Sequence, residues 1–185
     1  MDRLCDLIKV YPNALSTDIC KFLIDFYNTH TDIHEKIQNE RKPNFTQINL
    51  TENIPLSEDL ITVHDTLIHQ TLKYKNLYYE FIDSRCFPEE HAFEQYRIKK
   101  YENTGDDAFD THVDVKSLDT SRRFLSFLWY LNDVMVGGET MFKDLSIQPR
   151  CGTLIVFPPM WMYPHNGQPP VSGEKYIMST YLHYI

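Results

Sequence analysis

Three side chains in the second half of the chain have the types and spacing to share a divalent metal ion. His112-Val113-Asp114 sets an imidazole and a carboxylate two residues apart, and in a strand residues i and i+2 point to the same face. His165 follows 53 residues later, just after Trp161-Met162-Tyr163-Pro164. Two imidazoles and one carboxylate can cap one face of an octahedral Fe(II) and leave about three positions open, as oxygen activation requires. A structural zinc site would close its fourth position with another Cys or His, and none is near. His-x-Asp alone is a weak signal. It is sharpened by Lys175, ten residues past His165 at the start of the last apolar run. An ammonium there can be aimed back at a carboxylate of a bound co-substrate.

The sequence around these residues adds order to the spacing. Tyr101 leads through a Gly-bearing turn to His112-x-Asp114, followed by Arg123 and Phe127-Leu128-Trp129-Tyr130-Leu131-Asn132-Asp133-Val134. Then come Gly137-Gly138-Glu139-Thr140-x-Phe142, Pro149-x-x-Gly152-Thr153-Leu154-x-x-Phe157 and His165-x-Gly167-x-x-Pro170-Val171-x-x-Gly173-x-Lys175-Tyr176. From about Phe93 to the C-terminus this resembles the prolyl 4-hydroxylase type of iron- and 2-oxoglutarate-dependent dioxygenase, in a short microbial or phage-like form.

That resemblance implies a mainly β fold: a double-stranded β-helix (jelly-roll, cupin-like) core with buttressing helices. It implies that His112, Asp114 and His165 bind Fe(II). Lys175 would bind the distal carboxylate of 2-oxoglutarate, with Tyr130 as second donor and Ser179 as third, and Tyr101 would lie near the 2-oxo end. Without the resemblance, Tyr130 reads equally well as a core tyrosine. Arg123 matches a substrate-contacting position, and Trp161 is placed by sequence to flank the barrel mouth. Phe109 stands where relatives often carry Tyr, and Tyr181 where Trp is common. The implied reaction consumes 2-oxoglutarate and O2, with ascorbate as an accessory cofactor, and hydroxylates proline in a peptide or protein. The rival readings are a same-fold oxygenase for a free amino acid, small molecule or alkylated base, and a non-catalytic metal-binding barrel. A mere scaffold has no need of Lys175.

The elements that must position these residues divide near residue 92. In 1–92, Ser16 caps a helix carrying Ile19, Phe22, Leu23, Phe26 and Tyr27. Ser57 caps a second with Leu60, Ile61, His64, Leu67, Ile68, Thr71 and Leu72, running to about Lys73, with Leu77–Ile82 left open as its continuation. Between them, about Thr29 to Asn53 reads as an irregular loop and a candidate lid. His30 and His34 read as surface residues, and His64 as a half-buried histidine. In 93–185, short runs rich in aromatic and β-branched residues alternate with turns, over about 93–101, 109–115, 124–132, 139–143, 153–157, 160–165 and 175–184. Phe124–Leu131 is apolar on both strand faces and is expected between two packed layers. Gly137-Gly138 reads as a turn. The expectation is one dioxygenase domain over 1–185, a helical buttress and loop (1–92) against a β core (93–185).

The chain has 185 residues, with 42% hydrophobic and 14% aromatic positions, enough to bury a core and exclude general disorder. Its net charge of −8 argues against nucleic acid as partner. Residues 1–92 hold 15 acidic and 9 basic side chains (−6), residues 93–185 hold 11 and 9 (−2). Arg97, Lys99, Lys100, Arg122 and Arg123 read as solvated strand edges. No apolar run reaches membrane length and the N-terminus lacks a secretory pattern. The four scattered cysteines read as reduced, mostly buried thiols. A cytoplasmic location, in a host if phage-encoded, is expected.

Overall fold

The computed structural model describes residues 4–39 and 43–185. Two helices, α1 (Thr17–Thr29) and α2 (Glu58–Ile82), begin where Ser16 and Ser57 place their hydroxyls against the amides of Ile19 and Leu60, at 3.3 and 3.4 Å. Helix α2 runs well past Lys73. It contains neither Gly nor Pro, and Tyr74 and Tyr78 continue the buried stripe of Leu60, Leu67 and Thr71 at helical spacing.

Twelve strands are described: β1 (Lys9–Tyr11), β2 (Glu35–Gln38), β3 (Asn44–Asn49), β4 (Ala92–Phe93), β5 (Arg97–Tyr101), β6 (Phe109–His112), β7 (Arg123–Tyr130), β8 (Thr140–Phe142), β9 (Leu145–Ile147), β10 (Leu154–Phe157), β11 (His165–Gly167) and β12 (Lys175–His183). A large antiparallel sheet has the order β1-β10-β7-β12-β5-β3-β2, with β4 added beside β12. A smaller one has the order β6-β11-β8-β9.

The period of two along each strand sorts side chains between two cores. One face of the large sheet gives Phe127, Trp129, Met178, Leu182 and Ile98 to a core shared with Leu23, Tyr27, Leu67 and Tyr78 of the helices. The other face gives Tyr101, Tyr130, Phe157 and Ile177 to an interior closed by Phe142 and Ile147 of the small sheet. Strand β7 lies between these layers, as its two apolar faces led us to expect. On β12, Tyr176, Met178, Thr180 and Leu182 turn to the helices. Lys175, Ile177, Ser179 and Tyr181 turn inward.

Two sequence expectations fail. The 29–53 stretch is not an irregular loop, because β2 and β3 form a hairpin within it and β3 pairs with β5 (Thr46↔Lys100, Ile48↔Ile98). Its strands were hidden by polar composition: in Asn44-Phe45-Thr46-Gln47-Ile48-Asn49, only Phe45 and Ile48 are apolar, and they serve opposite faces. Residues 40–42 of this stretch lie outside the described part. The run 160–165 is also no strand. Residues 160–164 turn, and β11 starts only at His165.

Smaller expectations hold. Gly137 and Gly138 adopt φ of 75° and 76°, the left-handed region a turn uses. All four cysteines are free, but against expectation only Cys20 is buried, Cys5 and Cys151 being half-buried and Cys86 exposed. His64 is half-buried edge-on to Tyr96. His30 and His34 are half-buried rather than fully exposed, each with a ring nitrogen on a helix carbonyl (Phe26, Tyr27) at 2.9 and 2.8 Å. No described helix is long and apolar enough to cross a membrane.

The separation of the two faces is testable on β12. Met178→Ala should lower stability to urea by about 2–5 kcal/mol, the cost of deleting a buried side chain. Metal and 2-oxoglutarate affinity should stay unchanged. A loss of ligand affinity comparable to the loss of stability would contradict the division.

Candidate metal and co-substrate site

His112 closes β6 and His165 opens β11, and the two strands pair so that these residues sit directly opposite one another. Asp114 follows two residues after His112. The Asp114 Oδ1 atom lies 3.6 Å from His112 Nε2 and 3.9 Å from His165 Nε2. One ligand atom from each of the three falls within 4.8 Å of the others, and no other such group occurs among the described residues.

The orientation of the rings is fixed from behind. His112 Nδ1 lies 2.7 Å from the Asp110 carbonyl and His165 Nδ1 lies 3.0 Å from the Tyr163 carbonyl. A carbonyl only accepts, so each Nδ1 carries the proton and each Nε2 presents its lone pair to the common centre. Phe109 stacks on His112 with ring centroids 3.5 Å apart. Burial pushes the Asp114 carboxyl upward, but the His112 hydrogen bond and the charges of both histidines and Lys99 outweigh it and hold it below its usual range. Burial lowers His165, with Asp114 opposing, which favours the neutral imidazole a metal needs. Ligand–metal bonds of about 2.0–2.2 Å put adjacent ligands of an octahedral face roughly 3 Å apart, so a small inward movement completes the set. The donor set fits Fe(II).

Asp114 is also held by its backbone. Arg123 Nη1 donates to the Asp114 carbonyl at 3.1 Å, while Arg123 Nε and Nη2 grip Glu94 at 2.7 and 2.6 Å. His183 adds a contact to Glu94 at 2.9 Å, and the next amide, Val115, donates to the Pro159 carbonyl at 3.0 Å. All three guanidinium nitrogens of Arg123 are thus engaged inside the protein.

From the metal ligands a narrow cavity of about 40 Å³ runs inward between the sheets. Its inner end is occupied by Lys175, only 2% exposed. A Cβ placed on Gly167 would lie 3.8 Å from Lys175 Nζ, and one on Gly138 would lie 3.5 Å from Lys175 Cδ. Both glycines therefore pack alongside the lysine, at distances where even a Cβ would make ordinary contact. No described carboxylate stands within ion-pairing distance of Lys175. Burial pushes its pKa down to about 7, opposed only by Glu139. Such a cation is balanced only when an anion enters.

The remaining expected contacts fall into place unevenly. Tyr101 lines the cavity opposite Lys175, with Lys175 Nζ 5.3 Å from its ring centre. Its place is beside the lysine rather than beside the metal. Tyr130 stands behind the wall: its hydroxyl donates to Thr140 Oγ1 at 2.6 Å, with the Ile147 carbonyl at 3.1 Å, and Thr140 faces the cavity. Ser179 is inward-facing, but Ile177 intervenes and four residues of strand separate it from Lys175 by about 13 Å. Ser179 also lines the outer groove, which Lys175 does not reach. Trp161 is 77% exposed and borders a separate groove with Leu4, Cys5 and Phe142, away from the mouth. The turn 160–164, replacing the expected strand, carries it off. Two cavity residues, Thr140 and Lys99, escaped the sequence reading. Lys99 sits two residues before Tyr101 on one strand, and that period alone places it inside.

Comparison with known proteins now has a site to attach to. Residues 96–183, just under half the chain, match the model of the 2OG-Fe(II) oxygenase superfamily. Within this segment the chain is similar to that superfamily. His112, Asp114, His165, Lys175 and strands β5–β12 lie within it, whereas both helices, β1–β4 and Glu94 lie outside. A search of curated proteins finds no match. Solved structures align over almost the whole chain. A viral collagen prolyl hydroxylase from Paramecium bursaria Chlorella virus-1, in its 2OG complex, is 22% identical with a TM-score of 0.72, covering 99% of this chain and 100% of that one. A Pseudomonas putida prolyl-4-hydroxylase is 16% identical with a TM-score of 0.74, covering 98% and 97%. A Trichoplax adhaerens prolyl hydroxylase, solved with a hypoxia inducible factor peptide fragment, is 16% identical with a TM-score of 0.66, covering 95% and 83%. The oxygenase core is the double-stranded β-helix these structures share.

Two measurements test the site. Replacing His112 or Asp114 by Ala should weaken Mn(II) binding, read calorimetrically, by an order of magnitude or more, since losing a ligand should exceed the effect of losing its outer partner. Lys175→Met should behave oppositely, retaining metal and raising the stability of the ligand-free protein at pH 7 by roughly 1–4 kcal/mol. The sign follows from a native pKa of about 7 against 10.5 unfolded. Below pH 7 the burial penalty is present in full. Between 7 and 10.5 the unfolded chain binds the extra proton, so wild-type stability climbs toward that of the variant as pH rises. A variant less stable than wild type across that range would show that Lys175 is paired after all.

Proposed function

We propose that the chain is an Fe(II)- and 2-oxoglutarate-dependent hydroxylase acting on proline within a peptide or protein. One observation supports the co-substrate above all others: a cation buried without a partner at the end of a cavity whose other end is the His112-Asp114-His165 face. A molecule with a carboxylate at one end and a chelating group at the other satisfies both.

The net reaction takes O2, 2-oxoglutarate and a C–H bond to succinate, CO2 and a C–OH bond, one oxygen atom going to the alcohol and the other to succinate. The bound iron supplies the activation of O2. The chain supplies everything that orients it. His112, Asp114 and His165 hold three adjacent positions and leave the rest for co-substrate and O2. Lys175 pairs with the distal carboxylate. Thr140 is the second donor in the role expected of Tyr130: Tyr130 gives its proton to Thr140 Oγ1, leaving the threonine proton free for the anion. Phe157, Leu128 and Ile177 line the same cavity and keep water from it. Arg123 acts on Asp114 and leaves substrate contact to other groups.

The peptide reading is supported by the mouth. Outside the metal ligands lies an open groove of about 320 Å³, walled by Ile37, Phe45 and Gln47 of the β2–β3 hairpin. This is generous for a free amino acid and suited to an extended segment such as proline favours. The hairpin serves as a wall built into the sheet, in place of the lid expected from sequence. The structures aligned above include prolyl hydroxylases, one of them with a peptide.

The test is turnover of a panel of proline-containing peptides. Succinate should form in step with a +16 Da mass gain at proline, and free L-proline should be a poor substrate. Strong turnover of free proline, or of an alkylated oligonucleotide, with no response to any peptide would refute the peptide reading. The metal and 2-oxoglutarate assignments would stand. Lys175→Ala should raise the KM for 2-oxoglutarate by about ten- to 150-fold, the value of a charge-assisted contact. Lys175→Arg should restore it only in part.

A further inference from the structure

We propose that Lys99 selects the substrate, holding a carboxylate that flanks the hydroxylated residue, so that the groove takes acidic peptides. The inference rests on the peptide-hydroxylase reading and extends it to the chemistry of the peptide.

Strand β5 turns Arg97, Lys99 and Tyr101 to the inner side, and Lys99 pairs across to Ile177. Tyr101 sits opposite Lys175 at the inner end, so Lys99 lies one pleat repeat, about 6.6 Å, nearer the mouth. It lines both the inner cavity and the outer groove, at the junction where substrate must meet co-substrate. Lys175 meets the distal carboxylate of 2-oxoglutarate, and the chelating end of that molecule is neutralised by the divalent ion. Neither leaves a charge for Lys99.

The neighbouring cations are already matched. Lys100 bridges Glu102 and Glu174 at 2.6 and 2.7 Å. Arg123 is paired with Glu94 at 2.6 Å, and Arg97 shares that carboxylate at 3.5 Å while donating to Gln95 at 2.7 Å. Lys99 has only the Phe45 ring, 5.5 Å from its nitrogen, and no described carboxylate within ion-pairing distance. Burial pushes its pKa down to about 8, opposed by Asp114, while Arg97 and Arg123 push the same way as burial. It is therefore still charged near neutrality and half-buried. Around it, in a chain of net charge −8, the groove gathers Arg97, Lys99, Lys116 and Arg123 against Glu94 and Asp114. Glu94 is consumed by arginine and Asp114 by the metal. The surplus is positive, and it lies where an extended chain would pass. An acidic side chain beside the reacting residue is the group that balances it.

The test uses two labelled proline-rich peptides, identical except that the residues flanking one proline are Glu in the first and Gln in the second. Binding is measured by fluorescence anisotropy to protein loaded with Mn(II) and 2-oxoglutarate, which does not turn over. The Glu peptide should bind about ten-fold or more tightly than the Gln peptide, and the ratio should shrink as salt is raised. Lys99→Met should bring that ratio close to one, whereas Lys116→Met, altering an exposed rim charge, should leave most of it. Equal binding of the two peptides to wild type, or a ratio that survives in Lys99→Met, overturns the proposal. So does a Lys99→Met variant that loses 2-oxoglutarate affinity instead, because the lysine would then belong to the co-substrate. Mass spectrometry with Fe(II) separates this from the underlying reading. Acid-dependent binding without oxygen gain at proline refutes the hydroxylase reading and keeps the carboxylate site. Equal affinity with equal hydroxylation of both peptides refutes the site and keeps the hydroxylase.

Discussion

A lysine ammonium buried between two sheets, with no carboxylate close enough to pair, is the constraint that orders the rest of this structure. A buried charge left unpaired costs several kcal/mol, and Lys175 is 2% exposed. Gly138 and Gly167 pack along its stem and head, and in the function proposed above the cost is returned when a dianion binds. The same cation explains why the metal-binding face stands at the far end of the cavity. A co-substrate that chelates with one end and carries charge at the other fixes the separation between the two anchors.

That arrangement depends on strands being two-faced. Along β12, Met178 and Leu182 are held in the helix-side core, and Lys175, Ile177 and Ser179 are presented to the interior. A slip of one residue would exchange the two sets, placing Lys175 against the helices and Met178 in the cavity. The helical layer is therefore more than a cover. By making one face of the large sheet obligatorily apolar, α1 and α2 hold the register in which the opposite face can be polar. Deleting a single buried methionine there costs about as much as burying the lysine does, so the core has little room to weaken before the site becomes unaffordable.

What could be read in the sequence follows the same physics. His112, Asp114, His165 and Lys175 were legible because their chemistry is rare in combination and their spacing is set by strands. The two helices were legible from their caps and apolar stripes. The β2–β3 hairpin was not, since a strand that contributes one apolar side chain to each of two cores leaves no alternation to detect. Tyr130 and Ser179 were assigned to the right face of the right strands but to the wrong depth. Face follows from parity, whereas depth depends on register and on which hydroxyl stands in front. Tyr130 proves to be one layer behind Thr140, and Ser179 one Ile177 too far out. Trp161 failed because the turn at 160–164 redirects a side chain that a strand would have aimed at the mouth. Lys99 failed for the opposite reason: charge suggested solvent, and the parity shared with Tyr101 outweighs it.

The fate of Arg123 determines where recognition must reside. Its guanidinium ties Glu94 to the Asp114 carbonyl, with Tyr181 against it at 4.1 Å and His183 on the same carboxylate. A substrate recruiting Arg123 would have to release the backbone of a metal ligand, weakening the centre it needs. Glu94 sits between β4 and β5 and His183 ends β12, so this network also fastens the sheet edge to the metal-binding loop. On the proposed function, substrate specificity would therefore fall to groups other than Arg123 that can change partners without disturbing Asp114. On β5 these are Arg97, which shares its carboxylate at longer range, and Lys99, which has none. The strand that sets Tyr101 beside Lys175 also sets Lys99 at the groove, so in the proposed reading one alternating segment would serve both halves of the reaction.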